Sequence, residues 1–294
     1  MLLNLNSEKR VCGVIGNPLG QSVSPMMHNA AFAELGLNYI YLKFEISERE
    51  LENTILILKA KSFVGLNVTH PFKVLIMDHL DKIDDLAKEI GAVNTILNRN
   101  GKLIGYNTDS FGALAALRSS GLVLENMKYK ILIIGAGGAA RAVSVPLAKL
   151  GHKIIVANRT LKHAEEIVKI LPKASSPEVV LLSDVHKVIE DVMVVINCTP
   201  VGMTGGPSGC VIRPELLRKE LVVFDMVYSP INTELISASR KSGSKVVYGY
   251  EMLISQGIKS FELWTGKNAP AQLMRKIVID ELNLREKLLR TEGS

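Results

Sequence analysis

Short apolar blocks rich in β-branched residues recur along the chain, and stretches with helical spacing separate them. Val11–Ile15 predicts a buried strand and Gly16–Gly20 a turn. Met26–Leu35 predicts a helix, with Pro25 at its first position and Ser24 as N-cap. Asn38–Ile46 predicts a second strand, and Ser47–Glu50 reads as a capping box for a helix to about Lys61. A third strand follows over Phe63–Thr69, then a helix near Ile83–Ile90. Ala92–Leu97 and Leu103–Tyr106 predict a strand pair whose connection holds the hairpin signal Asn100-Gly101. A helix over Ser110–Ser119 ends at Gly121.

Lys130–Ile134 predicts a strand buried on both faces, leading into glycines and a run of helix formers. Later strands fall at Lys153–Ala157, Val192–Asn197, Val222–Met226 and Lys245–Val247. The last helices are Met252–Leu263 and Ala271–Leu284, and the charged tail Arg285–Ser294 is expected to fray. This alternation predicts an α/β protein with mainly parallel sheets. Ligands in such sheets bind beyond the carboxyl ends of the strands.

Polar residues at strand ends are therefore site candidates. Gly135, Ala136, Gly137, Gly138 and Ala139 form a G-x-G-G-x-A turn, with Ala140 in the last place. Free N–H groups and the helix dipole at such a turn suit a pyrophosphate, although a tight strand-to-helix turn alone uses the same residues. Asn158 stands roughly 20 residues beyond Gly135, the offset at which ribose is recognised. An NAD site would carry Asp or Glu there; this chain has Asn158, Arg159, Thr160 and then Lys162, types that suit the 2′-phosphate of NADP. Ser22, Asn67, Thr69 and Lys73 also follow strands. Thr69 equally fits a turn cap, Lys73 a solvated lysine, and Asp109 an N-cap. Asn94, among apolar neighbours, must find partners.

The 294 residues, 47% hydrophobic, suffice for one large domain or two ordinary ones. Lys and Arg number 35 against 29 Asp and Glu, a net charge of +6 spread along the chain. That balance lacks the basic stripe and aromatic platforms of a nucleic-acid binder and fits anionic small molecules. Cys12, Cys198 and Cys210 make no metal pattern, the six histidines show no ligand spacing, and no metal site is expected. The N-terminus MLLNLNSEKR is too short and polar for a signal peptide, and no apolar run reaches membrane-spanning length. A cytoplasmic protein is expected.

Taken in order, GNPLGQSVSP (16–25), NVTHPFK (67–73), GAVNT (91–95), GYNTD (105–109), GAGGAARA (135–142), NRT (158–160), NCTPVGM (197–203) and MLISQG (252–257) make the chain resemble the shikimate dehydrogenase family from Val11 to about Ile279. The resemblance implies a substrate domain over 1–109, completed by 249–294, and a Rossmann-type NADP domain over 110–248. The cofactor cleft would lie between them, with C-terminal helices packing back on the first domain. It implies reversible reduction of 3-dehydroshikimate to shikimate by NADPH, on the route to chorismate and the aromatic amino acids, by a monomer or homodimer. Ser22 and Ser24 would bind the substrate carboxylate. Asn67, Thr69, Asn94 and Gln256 would contact the ring hydroxyls, with Tyr228 close by. Lys73 and Asp109 would be the acid/base pair. Gly135–Ala139 would hold the pyrophosphate and Asn158–Lys162 the adenosine phosphate, while Thr199, Met203, Met226 and Gly249 line the cofactor. Gln21 and Glu251 depart from the family's His and Gly. A quinate/shikimate dehydrogenase would differ at the Ser22/Ser24 corner. A silent NADP sensor would lack Lys73 or Asp109, and both are present.

Overall fold

In the computed structural model, which describes residues 9–292 and side chains through 288, the apolar blocks assemble into two six-stranded sheets. Residues 1–8, most of the stretch judged too polar for a signal peptide, lie outside the described residues.

The first sheet contains β1 (Arg10–Gly16), β2 (Tyr39–Glu45), β3 (Phe63–Val68), β4 (Lys82–Ile83), β5 (Thr95–Arg99) and β6 (Lys102–Tyr106), in the order β2-β1-β3-β5-β6-β4. β1 runs parallel to β2 and β3, whereas β5 is antiparallel to β3 and β6. The β5–β6 hairpin turns at Asn100 and Gly101, which both take positive φ (56° and 83°), as its two-residue loop requires. The helices α1 (Ser24–Glu34), α2 (Leu51–Leu58), α3 (Phe72–Leu75) and α4 (Asp85–Ile90) connect the strands. Leu51, Ile55 and Leu58 of α2 pack with Ile15, Leu66, Val68, Phe72 and Ile96 in one core.

The second sheet is parallel throughout: β7 (Lys130–Ile134), β8 (Lys153–Asn158), β9 (Glu178–Leu181), β10 (Val194–Asn197), β11 (Val222–Asp225) and β12 (Lys245–Tyr248). Its order β12-β11-β10-β7-β8-β9 reverses direction between β7 and β10. That is the dinucleotide-binding arrangement, with its ligand crevice at the switch point. The remaining helices are α5 (Thr108–Ser119), α6 (Gly138–Lys149), α7 (Leu161–Val168), α8 (Glu234–Lys241), α9 (Gly249–Thr265) and α10 (Ala271–Glu292).

Two compact units result. One comprises 1–108 and 257–280, the other 109–256 and 281–294. The C-terminal segment is thus shared, with the divisions falling inside α9 and α10, where a return of 249–294 as a whole was expected. In the first unit, α9 brings Phe261 and Trp264 to an aromatic cluster with His28, Phe32 and Tyr41. Trp264 Nε1 donates to the Ile96 carbonyl at 2.9 Å. A Cβ on Gly65 would sit 2.4 Å from that indole nitrogen, so β3 needs glycine there.

Several boundaries differ from the sequence reading. Ser24 lies inside α1 and Val23 takes the cap position, without a side-chain cap bond. The predicted helix at Ile83 begins at Asp85, because Asp84 caps it by accepting from the Leu86 N–H. Ile83 instead belongs to β4. Asn94 precedes β5 rather than lying within it. The capping box of Ser47 and Glu50 forms, but it opens a 3-10 turn, and α2 stops at Leu58. The tail does not fray at Arg285: α10 runs to Glu292. Arg285 pairs with Glu281 one turn back at 2.6 Å, and the Glu286 carboxylate accepts from the Ile231 and Asn232 N–H groups.

Candidate active site

In the first unit, the predicted site residues cluster at the carboxyl ends of β1 and β3. A Cβ on Gly16 would meet Thr69 Cγ2 at 2.3 Å, so the two loops close on each other only because residue 16 is glycine. The Asn17 N–H donates to the His70 carbonyl at 2.9 Å and the Thr69 N–H to Ile15 at 2.9 Å. The turn carrying Ser22 and Ser24 is thereby joined to the turn carrying Thr69. Ser24 is buried; Ser22 and Thr69 are partly exposed. Lys73 lies on the short helix α3, half-buried, and its carbonyl accepts from the Val93 N–H at 2.7 Å. That bond sets α3 beside the strand entry that bears Asn94.

Asn67 and Asn94 are the best-held of the predicted residues. Asn67 lies near the end of β3, and its Oδ1 accepts from the Tyr41 hydroxyl at 2.7 Å. Its Nδ2 faces Thr95, Ser260 and the Asn94 carbonyl at 3.0, 3.0 and 3.2 Å. Asn94 Oδ1 accepts from the Thr108 N–H at 2.6 Å and its Nδ2 donates to the Thr108 hydroxyl. Two buried amides so engaged are fixed in orientation, an arrangement that suits a polyhydroxylated ligand. In the sequence reading Thr95 and Thr108 appear only within the GAVNT and GYNTD motifs, with no role assigned, and Ser260 does not appear. They lie on three separate elements, and only the fold brings them together.

In the second unit, Asp109 follows Thr108 in the first turn of α5 and is buried. α5 packs on α9 so closely that a Cβ on Gly112 would stand 2.7 Å from the Met252 carbonyl and 3.0 Å from the Gln256 backbone nitrogen. Asp109 and Gln256 therefore sit on packed helices. Tyr228 follows β11, and burial raises its phenol above the usual range, with Arg285 opposing the shift.

The glycine turn joins β7 to α6. Gly135 has φ +106°, and a Cβ there would meet Thr199 Cγ2 at 2.9 Å, so both conformation and space demand glycine. A Cβ on Gly137 would meet nothing within 4 Å, so the turn opens on free space at the N-terminus of α6. This opening, at the switch point of the sheet, fits a pyrophosphate. Asn158 ends β8 and bonds the Thr160 carbonyl; Arg159, Thr160 and Lys162 are exposed. Arg159 shares a groove with Leu181, Leu182 and Ser183. The sequence reading did not include β9, which forms this wall.

Thr199 is held by a further buried device. The Thr199 N–H and hydroxyl both donate to Asn197 Oδ1, at 2.9 and 2.7 Å. Asn197 Nδ2 donates to Asp225, which also accepts from the Val227 N–H and the Thr233 hydroxyl. Burial raises the Asp225 carboxyl, and these three donors pull it back. Met226 and Gly249 meet at the same strand end: a Cβ on Gly249 would lie 2.5 Å from the Met226 and Val227 carbonyls. Met203 lies exposed in the loop after β10. No group of metal-ligating side chains occurs among the described residues, and no helix among them is long and apolar enough to cross a membrane.

The shikimate dehydrogenase substrate binding domain matches residues 14–96, shikimate / quinate 5-dehydrogenase residues 119–203, and the shikimate 5′-dehydrogenase C-terminal domain residues 249–279. The shikimate dehydrogenase (NADP(+)) of Methanocaldococcus jannaschii is 42% identical over 95% of this chain and 99% of its own length. A crystal structure of a shikimate dehydrogenase in complex with NADP+ superposes with TM-score 0.87 at 40% identity, covering 94% of this chain and 97% of that one. The Thermus thermophilus enzyme in complex with NADP(H) and shikimate gives TM-score 0.82 at 32% identity, over 92% and 99%.

Proposed function

Because this chain belongs to the shikimate dehydrogenase family, we propose that its first unit carries most of the substrate-binding residues, and its second the cofactor-binding residues together with Asp109, Tyr228 and Gln256. The enzyme is an NADP-dependent oxidoreductase that reversibly reduces 3-dehydroshikimate to shikimate. It serves aromatic amino acid biosynthesis. Bound NADPH supplies the hydride that reaches the carbonyl carbon. The protein supplies the proton. Lys73 donates it to the ketone oxygen as that oxygen becomes a hydroxyl, and accepts it in the reverse direction. Asp109 works with Lys73 in that transfer and holds a neighbouring substrate hydroxyl. Ser22 and Ser24 take the carboxylate. Asn67, Thr69, Asn94, Gln256 and Tyr228 surround the ring.

Gly135–Ala139 receive the pyrophosphate at the start of α6, Arg159 and Lys162 with Asn158 and Thr160 the 2′-phosphate. Thr199, Met203, Met226 and Gly249 border the nicotinamide. The observation that carries this reading is the pair of interlocked amides, Asn67 and Asn94, at one strand end beside α3. We place the enzyme in the cytoplasm, in keeping with its free cysteines Cys12, Cys198 and Cys210, as a monomer or homodimer.

The deciding experiment follows NADP reduction spectrophotometrically with shikimate and with quinate. Shikimate should be oxidised and quinate poorly. Comparable turnover of quinate would make it a quinate/shikimate dehydrogenase, and no turnover of either would leave a silent NADP sensor.

A further inference from the structure

Three hydroxyls with no part in the roles above meet in one place. They belong to Thr95 at the start of β5, Thr108 at the start of α5 and Ser260 on α9. The oxygens of Thr95 and Thr108 are 2.9 Å apart, those of Thr95 and Ser260 2.9 Å, and those of Thr108 and Ser260 3.1 Å. All three residues are buried. A hydroxyl has one hydrogen to give and two lone pairs to receive. Round the triangle each can give its hydrogen to the next and receive one from the last. One lone pair then remains on each oxygen.

Amide hydrogens fill those lone pairs. Asn67 Nδ2 stands 3.0 Å from both Thr95 and Ser260, and Asn94 Nδ2 stands 3.0 Å from Thr108. Two backbone groups reveal which way round the amides stand. Asn94 Oδ1 takes the Thr108 N–H, which can only donate, while Asn67 Nδ2 also faces the Asn94 carbonyl, which can only accept. Asn94 Oδ1 lies within 3.1 and 3.2 Å of the Thr95 and Thr108 hydroxyls as well, a second home for either hydrogen. With both Nδ2 hydrogens of Asn67 committed, its group for a ligand is Oδ1, which already accepts from Tyr41 and has a second lone pair.

We propose that Ser260, with Thr95 and Thr108, is a positioning residue that locks the Asn67 and Asn94 amides in the sense that receives substrate hydroxyls, with Asn67 as hydrogen-bond acceptor. The proposal rests on the assignment of those two amides to the substrate. Ser260 touches no reacting atom; it acts through Asn67. A buried donor left unpaired is penalised far more than a missing surface contact, because no water replaces the lost acceptor.

The test is steady-state kinetics with shikimate and NADP on Asn67→Ala, Ser260→Ala, Thr95→Val and Thr95→Ser, each checked for wild-type circular dichroism. Ser260→Ala should raise the shikimate KM on the order of tenfold and leave the NADP KM within about twofold. Thr95→Val keeps the shape and removes the hydroxyl, and should act likewise. Thr95→Ser keeps the hydroxyl and should stay close to wild type, which separates hydrogen bonding from packing. In an Asn67→Ala background, Ser260→Ala should add little. An unchanged shikimate KM in both Ser260→Ala and Thr95→Val overturns the proposal. So does an equal rise in both Michaelis constants, or a Thr95→Ser variant as impaired as Thr95→Val. If Ser260→Ala fails to fold, the Thr95 pair decides alone. If Asn67→Ala itself leaves the shikimate KM unchanged, the assignment of Asn67 to the substrate is what fails, and the positioning role falls with it.

Discussion

In the proposed mechanism Lys73 carries the heaviest chemical demand of any single residue. General acid–base catalysis contributes typically 10²–10⁴-fold, so Lys73→Ala should lower turnover by roughly that factor with a much smaller change in the shikimate KM. Asp109→Asn should also lower turnover and weaken shikimate binding. The combined variant should fall short of the product of the two losses, since both are proposed to serve one proton transfer. Rate measurements at neutral pH decide the matter: a Lys73→Ala enzyme with most of its turnover makes Lys73 a binding residue. Glu251, on α9, should act through its backbone alone. Glu251→Gly then leaves turnover and NADP KM within about twofold, the range of an ordinary surface change, and a tenfold shift would give the carboxylate a role. At this scale the sequence was informative where chemistry needs a special backbone. Gly135, with positive φ and a threonine against its Cα, could hardly be another residue. It was silent on Ser260, which reaches Thr95 across 165 positions of chain. A buried serine on a helix looks like any other until its partners are in place.

Among elements, the loop from β8 into α7 is the one proposed to set the choice of cofactor. Arg159 and Lys162 are exposed there, and a phosphate between them would make charge-assisted bonds worth roughly 1.5–3 kcal/mol each. Arg159→Ala should therefore raise the Michaelis constant for NADP far more than that for NAD. Equal efficiency of both cofactors in the unmodified enzyme would refute the phosphate assignment. Long β-branched runs such as Lys130–Ile134 were legible because a strand buried on both faces has no polar phase to confuse it. The short elements β4, β9 and α3 were missed, whereas β10 and β11, no longer than β9 but buried throughout, were legible. Helix ends slipped where one side chain overrode the pattern, as Asp84 does at α4. α10 outran its predicted end for a tertiary reason, since Glu286 caps a loop 55 residues away in sequence.

For the molecule as a whole, the fold class was readable from alternation alone, whereas the sharing of α9 and α10 between the units was not, because no break in composition marks it. One consequence of the packing reaches the stability of the whole protein. His28 is fully buried against Tyr41, with ring centroids 4.5 Å apart, and neither ring nitrogen has a hydrogen-bond partner. Burial lowers its pKa to about 3, whereas the unfolded chain titrates near 6.5. Below that pH the unfolded state binds the proton and the native state does not. His28 therefore leaves stability intact above about pH 6.5 and removes about 1.4 kcal/mol per pH unit below it, levelling off near pH 3. Urea unfolding at pH 7 and pH 5 should differ by about 2 kcal/mol more in wild type than in His28→Phe, and identical pH slopes would exclude the histidine as the cause.

Trp264, sealed beneath β3 with its indole N–H on the Ile96 carbonyl, is the one tryptophan of the chain. Its emission is a private optical readout of the unit that holds Asn67 and Asn94. Light absorbed at the red edge of the protein spectrum excites that half of the molecule and leaves the glycine-turn half dark. A red shift during denaturation dates the opening of the first unit, and the second must be followed by another probe. Where the two records part, the protein has come undone one half at a time.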